Sequence, residues 1–108
     1  MVNQRRARRV HSFVKQPVVY ILASKPNGTL YVGVTSDISR RTEAHRSGAV
    51  PGFSEKYGVK NLVYFELHTG MYEAIQREKR IKKWNREWKI NLIRTTNPLW
   101  NDLSDQLL

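Results

Sequence analysis

Cysteine is missing from all 108 residues, which removes disulfide scaffolds, thiol nucleophiles and cysteine-ligated zinc at once. The absence fits a reducing cytosol, and a cytoplasmic protein is expected. No apolar run approaches the roughly 20 residues needed to cross a bilayer, so a soluble chain with no membrane partner is expected. Acids are scarce: nine Asp and Glu stand against 19 Lys and Arg, a formal net charge of +10. Such an excess repels itself and implies a polyanionic partner. Nucleic acid leads, because neutralising phosphates releases condensed counterions.

The basic charge has two parts. Residues 1–16 hold Arg5, Arg6, Arg8, Arg9 and Lys15 without one acid and without hydrophobic periodicity. They read as a basic disordered arm of bacterial type rather than a transit peptide. Residues 17–108 keep the other half of the excess and have 40% hydrophobic residues chain-wide to draw on, enough for one domain.

Two short β-branched and aromatic runs, VVYILA and TLYVGV, flank Ser24-Lys25-Pro26-Asn27-Gly28. Pro26 pre-sets a turn and Asn27-Gly28 tolerates the positive φ that closes it, so the runs pair as an antiparallel hairpin. Alternation places Tyr31 and Gly33 on one face, Val32 and Val34 on the other. A glycine there leaves room for close approach. Thr35-Ser36-Asp37 offers N-caps for a helix, ISRRTEAHRSG, ending at Gly48, with Arg41 and His45 four apart on one face. Residues 49–61 read mostly as loop, Leu62–Leu67 as a third strand, and MYEAIQREKRIKKW and NREWKINLIR as two helices. The tail from Thr95 starts as an extended segment, since the residue before Pro98 is pushed out of the α region. The sum is α+β: a three-stranded antiparallel sheet flanked by helices.

One carboxylate is out of place. Ala74, Ile75, Ile81 and the stem of Lys82 lie at i−4, i−3, i+3 and i+4 from Glu78, which therefore sits in an apolar stripe, whereas Glu73 points to water. A carboxylate so placed needs an arginine, a lysine, hydrogen bonds or a metal ion. Taken alone, Arg41 and His45 read as a solvated helix face, and Tyr20 and Tyr31 as sheet aromatics. Trp84, Trp88 and Trp100 read as core, though Trp84 and Tyr57 could also stack on bases.

Taken together, Val19-Tyr20, Tyr31-Val32-Gly33, Thr35 through Arg41 with His45, Glu78 within EAIQREKRIKKW, and Pro98-Leu99-Trp100-Asn101-Asp102-Leu103 resemble the GIY-YIG nuclease domain. The likeness spans roughly residues 17 to 105 and is greatest to small stand-alone bacterial members. The first motif lacks its initial glycine, and Val34 stands where some repair-type members carry lysine. The resemblance implies a metal-dependent DNA endonuclease with Tyr20, Tyr31, Arg41, His45, Glu78 and Asn101 at its active site. It makes Glu78 the ligand of one divalent cation, Mg²⁺ or Mn²⁺, the sole cofactor. Hard Mg²⁺ suits one carboxylate plus waters and phosphate oxygens. Arg41 would hold phosphate oxygens, Tyr31 would take a proton from water with help from Tyr20 or His45, and Asn101 would position groups. Gly33 would give clearance, and Arg40, Arg46, Lys82 and Lys83 would meet the DNA. The alternative is a nucleic-acid-binding module of the same fold that does not turn over.

Overall fold

The computed structural model describes residues 16–48 and 56–107. The basic arm up to residue 15 and residues 49–55 of the expected loop lie outside the described residues. Three strands, β1 (Val18–Ala23), β2 (Leu30–Thr35) and β3 (Asn61–Leu67), form one antiparallel sheet in the order β2-β1-β3. Three helices follow the chain as α1 (Ile38–Ser47), α2 (Met71–Lys83) and α3 (Arg86–Thr96), and a 3₁₀ turn spans Leu103–Leu107. The α+β expectation holds.

β1 is central and every one of its side chains is buried. Its alternation therefore feeds two apolar layers. Val19, Ile21 and Ala23 pack with Val32, Val63, Tyr64, Ala74, Ile81, Ile93 and Trp100 on the α2 and α3 side. Val18, Tyr20 and Leu22 pack with Val59 and Leu62 on the other, where Tyr31, Phe65 and Leu103 also lean in. Each such side chain contributes roughly 1.5–3 kcal/mol before its conformational cost. Between Ile21 and Leu22 the register with β3 slips, so Val63 and Tyr64 both face the helical side.

The hairpin closes as its turn residues require. Asn27 takes the positive φ of 59°, and the Gly28 N–H donates to the Lys25 carbonyl at 2.8 Å. Arg86, at the corner between α2 and α3, donates from one guanidinium nitrogen to the carbonyls of Asn27 and Gly28, 2.6 Å each.

Two expectations need correction. α3 runs on through Thr95 and Thr96, and only Asn97, at φ −144° and ψ 66° before Pro98, leaves the helical region. The proline restricts its immediate predecessor alone. Trp88 is 56% exposed and is not core, because α3 turns Ile93 inward instead, whereas Trp100 is buried as expected.

Asn97 turns the tail back onto the sheet. Its Nδ2 donates to the carbonyls of Val63 and Asn101, 2.9 Å each, while its Oδ1 accepts the Asn101 N–H and its carbonyl the Trp100 N–H. That web holds Trp100 at a φ of 59°, a conformation costing about 1–3 kcal/mol, with its ring in the core. Asn97→Ala leaves buried carbonyls unpaired and is expected to cost about 1–3 kcal/mol of stability, read by urea unfolding.

Candidate active site

The site is built on a missing side chain. Tyr20 and Gly33 are direct partners across β1 and β2, and a Cβ on Gly33 would lie 2.5 Å from both Cζ and Oη of Tyr20. The phenol therefore lies flat across the glycine and extends past β2. Tyr31, two residues earlier on the same face, brings its ring centroid to 6.2 Å.

α1 supplies the third ring. Thr35 Oγ1 accepts the Asp37 N–H, and Asp37 caps the helix by accepting the Arg40 N–H at 3.2 Å. The chain thus starts α1 at the sheet edge, with Thr42 and His45 turned inward. His45 is 1% exposed and packs edge-on to both phenols, 5.0 Å from Tyr31 and 6.1 Å from Tyr20. Its Nε2 lies 3.3 Å from the Tyr20 hydroxyl.

Electrostatics bind these groups to Arg41 and Glu78. Burial pushes the Tyr20 pKa above the ordinary phenol range. The neighbouring Tyr31, with which it shares a hydrogen bond, and the Glu78 charge push the same way against Arg41. Tyr20 stays protonated at ordinary pH. His45 is held below the ordinary imidazole value of 6.5, first by burial and then by the Arg41 charge, so it is neutral at pH 7 and able to accept a proton. Arg41 itself is exposed and, with Arg40, Thr35, Ser36, Asp37 and Ala44, lines an open groove of about 300 Å³ at the start of α1.

Glu78 enters from α2, which packs on β2 and β1. It is 7% exposed between Ala74 and Ile81, as the stripe requires, and its Oε2 meets Lys82 Nζ at 2.6 Å. A lysine is thus its partner in this structure. Among the described residues no three His, Asp, Glu or Cys side chains are grouped to cage a cation. A lone hard carboxylate fits a cation that keeps its waters and takes phosphate oxygens, and does not fit zinc.

The structure packs Tyr20, Tyr31 and His45 together over Gly33, while Arg41 and Glu78 are near enough for Tyr20 to feel their charges. It does not join Asn101, whose side chain is exposed and whose main chain serves Asn97. Next to it, Asp102 reaches α1 by an ion pair with Arg46, so that arginine is already engaged. Lys83 is exposed.

One cluster escaped the sequence reading. Glu66 accepts from Tyr64 at 2.5 Å and from Arg77 Nε at 2.9 Å, and its Oε2 lies 2.6 Å from His68 Nε2. Burial alone would raise the Glu66 pKa, but the hydrogen bonds from Arg77, Tyr64 and His68 with the Arg77 charge outweigh it and hold it low. Tyr64 is pushed up to about 12 by burial and its bond to Glu66. The only hint in the sequence is an acid within LVYFEL, a strand otherwise apolar.

Comparisons with known proteins agree with this fold. Residues 16–91 match the GIY-YIG catalytic domain. The chain is 40% identical over 75 residues to a UPF0213 protein of Clostridium perfringens, covering 69% of this chain and 80% of that one. It is 34% identical over 76 residues to a UPF0213 protein of Staphylococcus aureus, covering 70% and 92%. The solution structure of UPF0213 protein BH0048 from Bacillus halodurans superposes with a TM-score of 0.51 at 28% identity, over 81% of this chain and 92% of that one.

Gly33→Ala is expected to expel the Tyr20 ring and cost about 1–3 kcal/mol, seen as a lowered thermal midpoint. A second outcome follows from His45. Its folded pKa is depressed, so its contribution to stability is complete above about 6.5 and is lost as pH falls from there down through the folded value. The fall in unfolding free energy below pH 6.5 is expected to be shallower in His45→Gln than in wild type.

Proposed function

The chain belongs to the GIY-YIG catalytic domain family, and from that premise we propose that it is a divalent-metal-dependent endonuclease hydrolysing phosphodiester bonds of DNA. One observation carries the reading. The Tyr20 hydroxyl bonds to His45 within a packed cluster of three rings, shares a hydrogen bond with Tyr31 and feels the charges of Arg41 and Glu78. The net charge of +10 supports a polyanionic substrate.

The rings supply a path for a proton. Tyr31 is only half-buried, whereas Tyr20 and His45 are closed off from solvent. An attacking water at the partly exposed Tyr31 gives its proton to the Tyr31 oxygen as Tyr31 passes its own to Tyr20 and Tyr20 passes its own to His45 Nε2. No phenolate forms. The net acceptor is an imidazole that is neutral at pH 7 and so has a lone pair free for the proton, which a protonated phenol lacks, although burial and Arg41 make it a weaker base than free imidazole. The water oxygen bonds to phosphorus, the leaving oxygen departs and takes a proton from solvent.

Arg41, on the rim, holds the non-bridging oxygens with its planar fork and spreads the growing negative charge, and Arg40 adds a second cation to the same groove. Glu78 would hold the divalent cation, which when bound supplies Lewis-acid polarisation of the phosphate. Lys82, half-exposed beside Glu78, is placed to exchange that carboxylate for a DNA phosphate. The family generally uses a divalent metal, and among the described residues Glu78 is the buried carboxylate, held by a single lysine. Asn101 is proposed as a positioning group only, and Arg46 and Lys83 as outer contacts to the DNA backbone.

A second reading, a binding module without turnover, is favoured by the Lys82–Glu78 pair, since the acid is already neutralised. Cutting of plasmid, single-stranded and branched DNA with Mg²⁺ or Mn²⁺ separates the two. Arg41→Ala and Glu78→Gln are each expected to lower cleavage about 10²-fold or more while leaving the fold intact. Equal activity in wild type and both variants would place the activity elsewhere. Salt-dependent binding by wild type without any cleavage would select the module.

A further inference from the structure

Away from the rings and Glu78, the corner between α2 and α3 carries a pair of indoles of which Trp84 leans on the core and Trp88 does not. Trp88 is 56% exposed, and its ring meets Trp84 edge to face at 5.9 Å and 78°. The two line an open groove of about 350 Å³ with Asn91, Leu92 and Thr95. Trp84 does not move freely, because the Arg77 guanidinium lies 5.2 Å over its ring and is itself fixed by Glu66. Exposing so much of an indole gains nothing for folding.

The surroundings are cationic. From Arg77 to Lys89 the chain has seven basic residues and two acids. Both acids lie at the margin of the matter: Glu78 is paired with Lys82, and Glu87 is one residue from Trp88 but a third of a turn away around α3. Among the described residues Lys79, Arg80 and Lys83 take part in no ion pair, and all three are exposed. A held tryptophan pair with one indole more than half exposed, on a segment that carries exposed ammonium and guanidinium groups, suits a strand that offers bases and phosphates together. A duplex hides its base faces by stacking them on each other. Asn91 and Thr95 add hydrogen-bonding groups beside Leu92 and the two indoles.

We propose that the Trp84–Trp88 groove is a stacking platform for the bases of single-stranded DNA. Lys79, Arg80 and Lys83 hold that strand by its phosphates. The choice of DNA as the polynucleotide rests on the function proposed above, but the platform does not depend on hydrolysis. It gives the enzyme a hold on unpaired strands next to a junction or end, which makes branched and frayed DNA the substrate class.

The test uses the full chain in EDTA, so that nothing is cut, titrated with labelled oligothymidylate and with a duplex while tryptophan fluorescence and anisotropy are read. Wild type is expected to show quenching on adding oligothymidylate. Trp88→Ala is expected to weaken oligothymidylate binding about tenfold or more, with Trp88→Phe restoring most of it. Duplex affinity and the dependence of log affinity on log salt are expected to be unchanged, because no phosphate contact is removed.

Oligothymidylate binding by Trp88→Ala within about twofold of wild type would overturn the platform and leave the nuclease reading standing. Failure of wild type to bind any polynucleotide would overturn both. Equal losses for duplex and single strand with a lowered thermal midpoint would make Trp88 merely structural. Trp88-dependent binding of oligouridylate alone would overturn the assignment to DNA. Quenching that follows protein concentration, with a sedimenting dimer, would make the groove a contact between copies of the chain and overturn the proposal.

Discussion

The fold and the candidate site both depend on one close contact, a phenol lying where the neighbouring strand has no side chain. Tyr20 belongs to the strand whose every side chain is buried, so it cannot swing outward without emptying a layer of core. Gly33 lets it lie flat and reach His45 across the sheet edge. Stability and chemistry are thus carried by the same atoms. The ring that helps close the core also sets where an imidazole and a second phenol stand.

Two glutamates show how differently the chain can solve the same problem. Glu66 is enclosed by Tyr64, His68 and Arg77, three donors contributed by β3, the segment after it and α2, and its charge is locked in place. Glu78 has one partner, an ammonium whose own side chain is half in solvent. Desolvation penalises both, but only the second can change partners at little structural cost, because its lysine loses nothing by returning to water or turning to a phosphate. That contrast separates the two acids more firmly than burial does.

Much of this was readable from residue order because it rests on short-range rules. Alternation put Tyr31 and Gly33 on one face, the Asn27-Gly28 turn closed the hairpin, and helical spacing placed Glu78 among Ala74 and Ile81. What could not be read depends on contacts distant in sequence. Asn97 owes its role to Val63, 34 residues away, and Glu66 to Arg77 on the next element. Asn101 took its place in the expected set from a motif, while the hydrogen bonds that shape the tail belong to its neighbour four residues earlier. Trp88 was misjudged because large aromatics usually fill cores in small domains, and here α3 spends Ile93 on that duty.

The fork of Arg86 on the carbonyls of Asn27 and Gly28 acts as a tie-rod between two parts that share no strand or helix. It fastens the tip of the hairpin to the elbow of the helices, so the segment bearing both tyrosines and the segment bearing both tryptophans are held together at a second point, outside the apolar layers.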